Sequence, residues 1–289
     1  MDINLKQLAS FFLLTVFVAA CKNPVAVKKM TPKEKLESEK NYTTRLTKEF
    51  ASLIDGEKLK GSILLFDFQK EKYYSNDLEW AKVERLPAST FKIPNTIIAL
   101  ETATLQSDTS RFIWDGKPRE MKDWEKNLTL MEAFKVSCVP CYQEVARNIG
   151  YDKMKQYLRR FSYGNMIFTK ETVDRFWLEG KSVISQYQQI DFIERFYHDG
   201  LGISERTTNI TKKIMLMEQT ENYSFYGKTG TSENKGIING WFVGFLEVGT
   251  KVYFFALNVE PKGNATMESF RNQRIELTKK ALKVAGLMN

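Results

Sequence analysis

Short apolar runs near both ends of the chain predict β-strands there. Residues 61–68 form such a run after a glycine, and residues 72–74 follow as its hairpin partner. Residues 241–247 and 252–259 form two more runs, and Gly249 lies in the turn between them. The pattern therefore predicts a sheet that is assembled from both ends of the chain.

Helical patterns fill the long middle of the chain, residues 90–225, where strand signals are few. Residues 190–197 and 211–219 are examples, and residues 271–285 form a C-terminal helix that stops at Gly286. Strands from both ends with helices between them predict an α+β fold. We expect a central antiparallel sheet flanked by helices, with an inserted helical subdomain beside it. The cleft between these two parts is the expected place of a functional site.

The first twenty residues differ from the rest in their apolar character. Lys6 precedes the apolar run of residues 8–20, which is shorter than the roughly 20 residues of a membrane-spanning helix. We interpret residues 1–20 as a secretory signal peptide. Residues 18–21, Val-Ala-Ala-Cys, resemble a bacterial lipoprotein signal in which Cys21 is lipidated. A plain signal peptide with an incidental cysteine is the alternative.

Residues 21–45 are interpreted as a tether, because they are charged and contain Pro24 and Pro32. Residues 46–289 are then long enough for one globular domain. We expect an exported protein, periplasmic in a Gram-negative bacterium, that contacts the membrane through a lipid anchor only.

Composition and charge restrict the possible functions only slightly. Hydrophobic residues make up 43% of the chain and charged residues 27%, which is typical of a globular protein. The net charge of +8 is compatible with anionic substrates or anionic lipid headgroups. Since no nucleic-acid-binding motif accompanies this charge, we expect no nucleic-acid partner.

Cys138 and Cys141 form a Cys-x-x-Cys arrangement. A zinc site normally has four ligands, and His198 is the single histidine of the chain, so we expect no metal site. We interpret the two cysteines as small apolar residues on one helix face. A local disulfide is the alternative in an oxidising compartment.

Ser89-Thr-Phe-Lys92 precedes an apolar helix and is the first candidate for chemistry. The i, i+3 spacing places Lys92 one helical turn from Ser89 on the same face. An amine there, if unprotonated or chemically modified, could accept the proton of the serine hydroxyl. A helix-capping serine is the alternative interpretation. A second Ser-x-x-Lys, residues 232–235, is interpreted as a solvated loop.

Four further stretches follow Ser89 along the chain. All of them in this order form a more specific sequence signal than any single tripeptide, which occurs often by chance. They are Ser-Cys-Val (137–139), Tyr-Gly-Asn (163–165), Phe-Trp-Leu-Glu-Gly (176–180) and Lys-Thr-Gly (228–230). Lys228 could hold a carboxylate or polarise the hydroxyl of Ser137. Gly230 would let a substrate approach the strand backbone closely.

With these stretches the sequence resembles the class D (oxacillinase-type) serine β-lactamases, over about residues 61–286. Residues 89–95, 137–144 and 240–244 also carry the resemblance. It implies the serine β-lactamase and penicillin-binding transpeptidase-like fold, which agrees with the predicted α+β architecture. It also implies a hydrolase that opens the ring of penicillins and related antibiotics and confers resistance to them. The expected partner is a small-molecule β-lactam, and the expected state is a monomer or a homodimer.

The resemblance implies the catalytic roles as well. Ser89 would be the acylated nucleophile, and Ser137 would relay a proton to the leaving nitrogen. Lys92 would carry a carbamate (N6-carboxylysine) formed from CO₂ and act as general base in both half-reactions. Burial would disfavour the ammonium form of Lys92 and leave the free amine that CO₂ needs. Trp177 would donate its indole N–H to the carbamate. Apart from CO₂ or bicarbonate, no cofactor is implied.

The substrate-binding residues follow from the same resemblance. Val139, Lys228, Thr229 and Gly230 would line the site. The backbone N–H groups of Ser89 and Thr231 would form the oxyanion hole. Arg274 would hold the substrate carboxylate, and Arg271, one helical turn away, is the alternative for that role.

Two cysteines depart from the pattern of the family. Cys138 occupies the middle position of the Ser-x-Val motif, and Cys141 stands where the family usually has an aliphatic residue. We expect altered packing there and unaltered chemistry. Two other functions remain open: a β-lactam sensor domain that stays acylated, and a penicillin-binding protein that acts on D-Ala-D-Ala peptides.

Overall fold

The computed structural model describes residues 31–234, 236–263 and 267–288. The predicted signal peptide and Cys21 lie outside these residues. None of the helices formed by the described residues is long and apolar enough to cross a membrane.

The chain divides into two units, Met1–Glu39 and Lys40–Asn289. Helix α1 (Pro32–Gly56) begins in the first unit and ends in the second. The predicted tether is therefore helical from Pro32 onward, while residues 21–30 lie outside the described part of the chain. The boundary between the tether and the globular domain, placed at residue 46 from the sequence, stays a prediction.

Eight strands are found in the described residues. They are β1 (Leu59–Asp67), β2 (Lys72–Ser75), β3 (Arg111–Phe112), β4 (Leu128–Thr129), β5 (Leu216–Gln219), β6 (Ser224–Asn234), β7 (Ile237–Val248) and β8 (Lys251–Pro261). Six of them form one antiparallel sheet in the order β2-β1-β8-β7-β6-β5, and β3 pairs with β4 separately. Strand β1 pairs with β8, with Ile63 opposite Leu257, so the sheet joins both ends of the chain as predicted.

The remaining helices lie mostly between β2 and β5. They are α2 (Leu78–Lys82), α3 (Lys92–Glu101), α4 (Leu130–Lys135), α5 (Val139–Ile149), α6 (Tyr151–Arg160), α7 (Gln186–Tyr197), α8 (Glu205–Met215) and the C-terminal α9 (Met267–Val284). Four 3₁₀ segments complete the secondary structure: Phe68–Lys70, Ala88–Phe91, Lys122–Trp124 and Lys170–Thr172. The predicted helices at 190–197 and 271–285 are confirmed, and Gly286 follows α9 with φ +74°.

Two hydrophobic clusters lie on opposite faces of the sheet, because successive side chains of a strand point to opposite sides. Phe254 and Ala256 of β8 pack with residues of α3, α5 and α7. Phe255 and Leu257 of the same strand pack with residues of α1 and α9. The sheet is thus the middle layer of the second unit, and the predicted α+β fold is confirmed.

Two local predictions are wrong, and both concern the strands β5 and β6. Residues 211–219 were predicted to be helical throughout, but α8 ends at Met215 and the following residues pair with β6. Residues 232–235 were predicted to be a solvated loop, but Ser232 pairs with Asn239 in the sheet and is only 9% exposed; Lys235 lies outside the described residues. In both cases hydrogen bonds to a neighbouring strand override the local pattern.

Candidate active site

Ser89 lies in the 3₁₀ segment Ala88–Phe91, which runs directly into helix α3. Pro87 is the N-cap of this segment and makes no side-chain cap hydrogen bond, so Ser89 is not a helix cap. Instead, Nζ of Lys92 donates a hydrogen bond of 2.9 Å to Oγ of Ser89. The i, i+3 spacing therefore brings the two side chains together, as the sequence predicts.

Lys92 is fully buried, and its environment changes its acidity. Burial lowers the pKa of the Lys92 amine from 10.5 to about 7, because a charged ammonium loses hydration in the protein interior. The ring of Tyr142 lies beside the amine, with its centroid 5.2 Å from Nζ. A substantial fraction of Lys92 is therefore a free amine at neutral pH.

Trp177 is fully buried next to the segment that carries Ser89 and Lys92. Its indole ring stacks on Phe91, with 4.9 Å between the ring centroids and 19° between the planes. The backbone N–H of Ala88 donates to the carbonyl oxygen of Trp177 at 2.9 Å. The indole Nε1 is buried and has no hydrogen-bond partner in the described part of the chain. Such an unsatisfied buried donor is uncommon and points to a missing acceptor.

These observations fit a carbamate on Lys92. Reaction with CO₂ needs an unprotonated amine, which the burial of Lys92 provides. A carbamate is an anion with oxygen acceptors, and the unsatisfied indole N–H of Trp177 is a donor in the same buried region. The residues present therefore suit the modification that the resemblance implies.

Ser137 and Lys228 are brought together from residues 91 positions apart. Nζ of Lys228 donates hydrogen bonds to Oγ of Ser137 and, at 3.0 Å, to the carbonyl oxygen of Thr229. Lys228 is 4% exposed, and its amine lies 5.4 Å from the centroid of the Phe134 ring. Ser137 itself lies between α4 and α5 with φ +54°, and Val139 is the first residue of α5.

Cys138 and Cys141 form a disulfide, so the interpretation of the pair as separate apolar residues is wrong. Cys138 is the N-cap of α5 and Cys141 lies in its first turn, with 5.4 Å between the Cα atoms. This distance lies within the range that a disulfide can bridge. The Cys-x-x-Cys spacing is compatible both with two separate thiols and with a local disulfide, so the sequence alone does not decide between them.

Strand β6 brings Thr229, Gly230 and Thr231 alongside the 3₁₀ segment Ala88–Phe91, which is called the nucleophile segment here after the proposed role of Ser89. A methyl group added at Gly230 would lie 3.1 Å from the backbone N of Thr90 and 3.2 Å from that of Ser89. This approach is tighter than ordinary side-chain contact, so the glycine makes the close packing possible. It also places the backbone of β6 next to the N–H of Ser89, where the oxyanion hole is expected.

Arg274 is fully buried on α9 and contacts β6. Its Nη1 donates to the carbonyl oxygen of Gly230 at 2.7 Å and to Oγ1 of Thr231 at 2.8 Å. Gly240 on β7 leaves room for it, since an added Cβ there would lie 2.4 Å from Nη1. The side chain of Arg271 lies outside the described residues.

Two polar residues support the nucleophile segment in a way that the sequence does not predict: Gln189, which no motif singles out, and Tyr163, which is singled out only as part of Tyr-Gly-Asn. Nε2 of Gln189 donates to Oγ1 of Thr90 at 2.8 Å, and that hydroxyl donates to the carbonyl oxygen of Pro87 at 2.6 Å. The hydroxyl of Tyr163 donates to Oε1 of Gln189 at 3.4 Å. Tyr163, the first residue of the Tyr-Gly-Asn stretch, is thus also buried behind Thr90. Gln189 has no recognisable signal in the sequence, because its partner is 99 residues away.

No group of three or more His, Cys, Asp or Glu side chains within residues 31–234, 236–263 and 267–288 is arranged to hold a metal ion. The polar groups that the structure does collect are hydroxyls, amines and one guanidinium. Their arrangement is suited to acyl transfer, with a serine nucleophile, a buried base and donors for a developing oxyanion.

Comparisons with known proteins agree with this chemistry. The penicillin binding protein transpeptidase domain family matches residues 59–282. Beta-lactamase OXA-10 of Pseudomonas aeruginosa is 42% identical over 222 residues, which cover 75% of this chain and 81% of that protein. Beta-lactamase OXA-48 of Klebsiella pneumoniae is 40% identical over 203 residues, covering 70% and 76% respectively. The crystal structure of the class D β-lactamase YbXI from Nostoc superposes with a TM-score of 0.79 at 39% identity, covering 83% of this chain and 99% of that one.

Proposed function

The chain belongs to the class D β-lactamases, which are hydrolases acting on the β-lactam amide bond, and we propose that it works through an acyl-enzyme on Ser89. The observation that carries this mechanism is the 2.9 Å hydrogen bond between Nζ of the fully buried Lys92 and Oγ of Ser89. A base of lowered pKa in contact with a hydroxyl is the arrangement that activates a serine nucleophile.

In acylation, the proton of Ser89 moves to Lys92 while Oγ forms a bond to the β-lactam carbonyl carbon. The backbone N–H groups of Ser89 and Thr231 stabilise the oxyanion. When the carbon–nitrogen bond of the ring breaks, the hydroxyl of Ser137 gives a proton to the leaving nitrogen. Lys228, which donates a hydrogen bond to that hydroxyl, replaces the proton.

Lys92 is the proposed base for acylation and for deacylation. When CO₂ is bound to its amine as a carbamate, the side chain supplies a carboxylate-like oxygen as proton acceptor. Trp177 would donate its indole N–H to that oxygen, since this N–H has no other partner in the described part of the chain. Before deacylation, the proton that Lys92 took from Ser89 returns through solvent to Lys228, which gave one up through Ser137. A water molecule then gives a proton to Lys92 as its oxygen attacks the acyl carbon. Lys92 passes this proton to Oγ of Ser89 when the bond between Oγ and the acyl carbon breaks.

Arg274 and the residues of β6 are the proposed binding site for the substrate carboxylate. The guanidinium is held against Gly230 and Thr231, and Lys228 adds a second positive charge on the same strand. Thr229, which is 6% exposed, and Val139, at the start of α5, complete the lining of the site. Two cations next to the nucleophile favour the anionic β-lactams.

The proposal is tested with a chromogenic cephalosporin in excess over the purified chain, with bicarbonate added. We expect many turnovers per molecule, an acyl adduct on the intact protein by mass spectrometry, and loss of both in Ser89→Ala. Ser232→Ala is the matched control, because Ser232 begins the second Ser-x-x-Lys of the sequence; this variant should still form the adduct. Turnover retained in Ser89→Ala contradicts the mechanism. A single stoichiometric burst would instead favour a sensor or a penicillin-binding protein.

We also propose that the chain is exported and anchored by lipid on Cys21. The support is the Val-Ala-Ala-Cys sequence at 18–21 after an apolar run, followed by a charged segment.

A further inference from the structure

The turn between α4 and α5, residues 136–141, contains both the predicted proton relay and the disulfide. Ser137 has φ +54°, in the left-handed region that non-glycine residues rarely adopt. A residue keeps such a conformation only where its surroundings hold it there. The conformation of Ser137 therefore depends on the contacts of the neighbouring residues in this turn.

Backbone hydrogen bonds tie the turn to the end of α4. The N–H of Ser137 donates to the carbonyl oxygen of Phe134 at 3.1 Å, and the N–H of Cys138 donates to that of Ala133 at 2.8 Å. On the other side, the indole Nε1 of Trp124 donates to the carbonyl oxygen of Val136 at 3.0 Å. These contacts hold the first half of the turn, and on the side of α5 the N–H of Tyr142 donates a longer hydrogen bond of 3.4 Å to the carbonyl oxygen of Cys138.

The disulfide adds a covalent connection between the turn and α5. Cys138 is the N-cap of α5, where Ser, Thr, Asp or Asn would usually accept a backbone N–H. Its sulfur accepts the N–H of Cys141 at 3.2 Å, and sulfur is a weak acceptor. The covalent bond to Cys141 thus holds the first turn of α5 against the residue that directly follows Ser137.

We propose that the Cys138–Cys141 disulfide positions Ser137 for its hydrogen bond with Lys228, so that the rate of acylation depends on the redox state of this pair. This inference rests on the proposed function, in which Ser137 delivers a proton to the leaving nitrogen. The hydrogen bond between Lys92 and Ser89 does not involve the disulfide, whereas the hydrogen bond of Lys228 goes to the residue directly before Cys138, so the effect is expected through the position of Ser137.

The bond is within reach of a small dithiol. Cys138 and Cys141 line a cavity of about 320 Å³ together with Trp124, Glu144 and Arg147. Cys141 is 8% exposed. A dithiol such as dithiothreitol delivers two electrons and two protons to the S–S bond, which becomes two thiols, while the dithiol closes to its cyclic disulfide.

The test compares the oxidised and reduced forms of the full chain in a Cys21→Ala background, where Cys138 and Cys141 are the two remaining cysteines. Thiol titration gives the state of the pair, and the dithiol is removed under nitrogen before the assay. Stopped-flow measurement then separates substrate binding from acylation. We expect reduction to slow acylation about tenfold, as for a modest misplacement of a catalytic group. The dissociation constant of the non-covalent complex should change less than about twofold.

A matched variant, Cys138→Ala with Cys141→Val, keeps apolar packing but cannot form the bond. It should acylate as slowly as the reduced chain and should not respond to the dithiol. Equal acylation rates in the oxidised chain and in this variant would overturn the inference, even if the melting temperature falls. If reduction unfolds the chain, the acylation rate of this variant decides the test: slow acylation supports the inference, and acylation as fast as in the oxidised chain overturns it. Absence of turnover in every form, including the oxidised one, would count against the proposed function instead.

Discussion

The backbone N–H of Ala88 donates a hydrogen bond of 2.9 Å to the carbonyl oxygen of Trp177. Ala88 has φ +50° and directly precedes Ser89, the proposed nucleophile, so this bond holds the nucleophile segment in an uncommon conformation. On the other side of the same segment, the indole ring of Trp177 stacks on Phe91. The position of the nucleophile and that of the buried indole N–H are therefore set by the same contacts.

The indole N–H of Trp177 is predicted to retain CO₂ on Lys92. Trp177→Phe keeps an aromatic ring against Phe91 but removes the N–H, so more bicarbonate should be needed for half-maximal activity, by about tenfold for the loss of one hydrogen bond to a charged group. The measurement is the initial rate of β-lactam hydrolysis against bicarbonate concentration. Phe176→Leu, at the neighbouring buried position, is the control and should leave the half-saturating concentration unchanged. An unchanged value in Trp177→Phe would refute the role.

The lowered pKa of Lys92 predicts a particular dependence of stability on pH. The folded chain loses the Lys92 proton near pH 7, whereas the unfolded chain keeps it to about pH 10.5. Because the unfolded state binds more protons between these values, the contribution of Lys92 to the free energy of unfolding rises with pH across that window. Below pH 7 the penalty of burying this group is constant and at its largest.

The matching experiment is denaturant unfolding of the chain and of Lys92→Met in CO₂-free buffer at several pH values. The variant should be more stable near pH 7, by at most about 5 kcal/mol at 1.4 kcal/mol per pH unit. The difference should shrink as the pH approaches 10. A difference that does not depend on pH would show that Lys92 titrates normally in the folded chain.

Arg274 is predicted to bind the substrate carboxylate. Arg274→Ala should raise KM for penicillins about tenfold or more, since hydrogen bonds to charged groups contribute roughly 1.5–3 kcal/mol. A penicillin methyl ester lacks the anion, so its KM should be the same for the variant and the original chain. Arg271→Ala tests the alternative one helical turn away. If that variant raises KM for penicillins and Arg274→Ala does not, the assignment is wrong.

Fast acylation is predicted to require glycine at position 230, because this residue lies close to the nucleophile segment. In Gly230→Ala the new methyl group would lie 3.1 Å from the N of Thr90, so β6 or the segment must shift. The required shift is a few tenths of an ångström, so we expect acylation to slow by up to about tenfold. Gly56→Ala, where an added Cβ meets nothing within 4 Å, is the control. Normal acylation in Gly230→Ala would show that the contact relaxes without effect on the site.

Cys21 is predicted to carry the lipid anchor. Cells that express the chain and are grown with labelled palmitate should label it, and Cys21→Ala should abolish the label. The variant with Cys138→Ala and Cys141→Val should be labelled as strongly as the original chain. Labelling that persists in Cys21→Ala would refute this role of Cys21, and the absence of label in the original chain would favour a plain signal peptide.

Much of this protein follows from local sequence patterns. The apolar runs predict β1, β2, β7 and β8, and helical spacing predicts α7 and α9, because alternation and the 3.6-residue period report which face of an element is buried. The i, i+3 spacing of Ser89 and Lys92 brings these two side chains together within a single turn. The order of the short motifs supports the family, which the comparisons show.

The tertiary structure decided what depends on partners far apart in the sequence. Strand β5 continues a helical pattern yet pairs with β6, since strand pairing is a property of the neighbour as much as of the segment. The contacts of Lys228 with Ser137, of Arg274 with Gly230 and of Gln189 with Thr90 join residues 91, 44 and 99 positions apart. The burial that lowers the pKa of Lys92 also comes from the assembled core. The local sequence shows which residues are apolar, but it does not show which of them surround the amine.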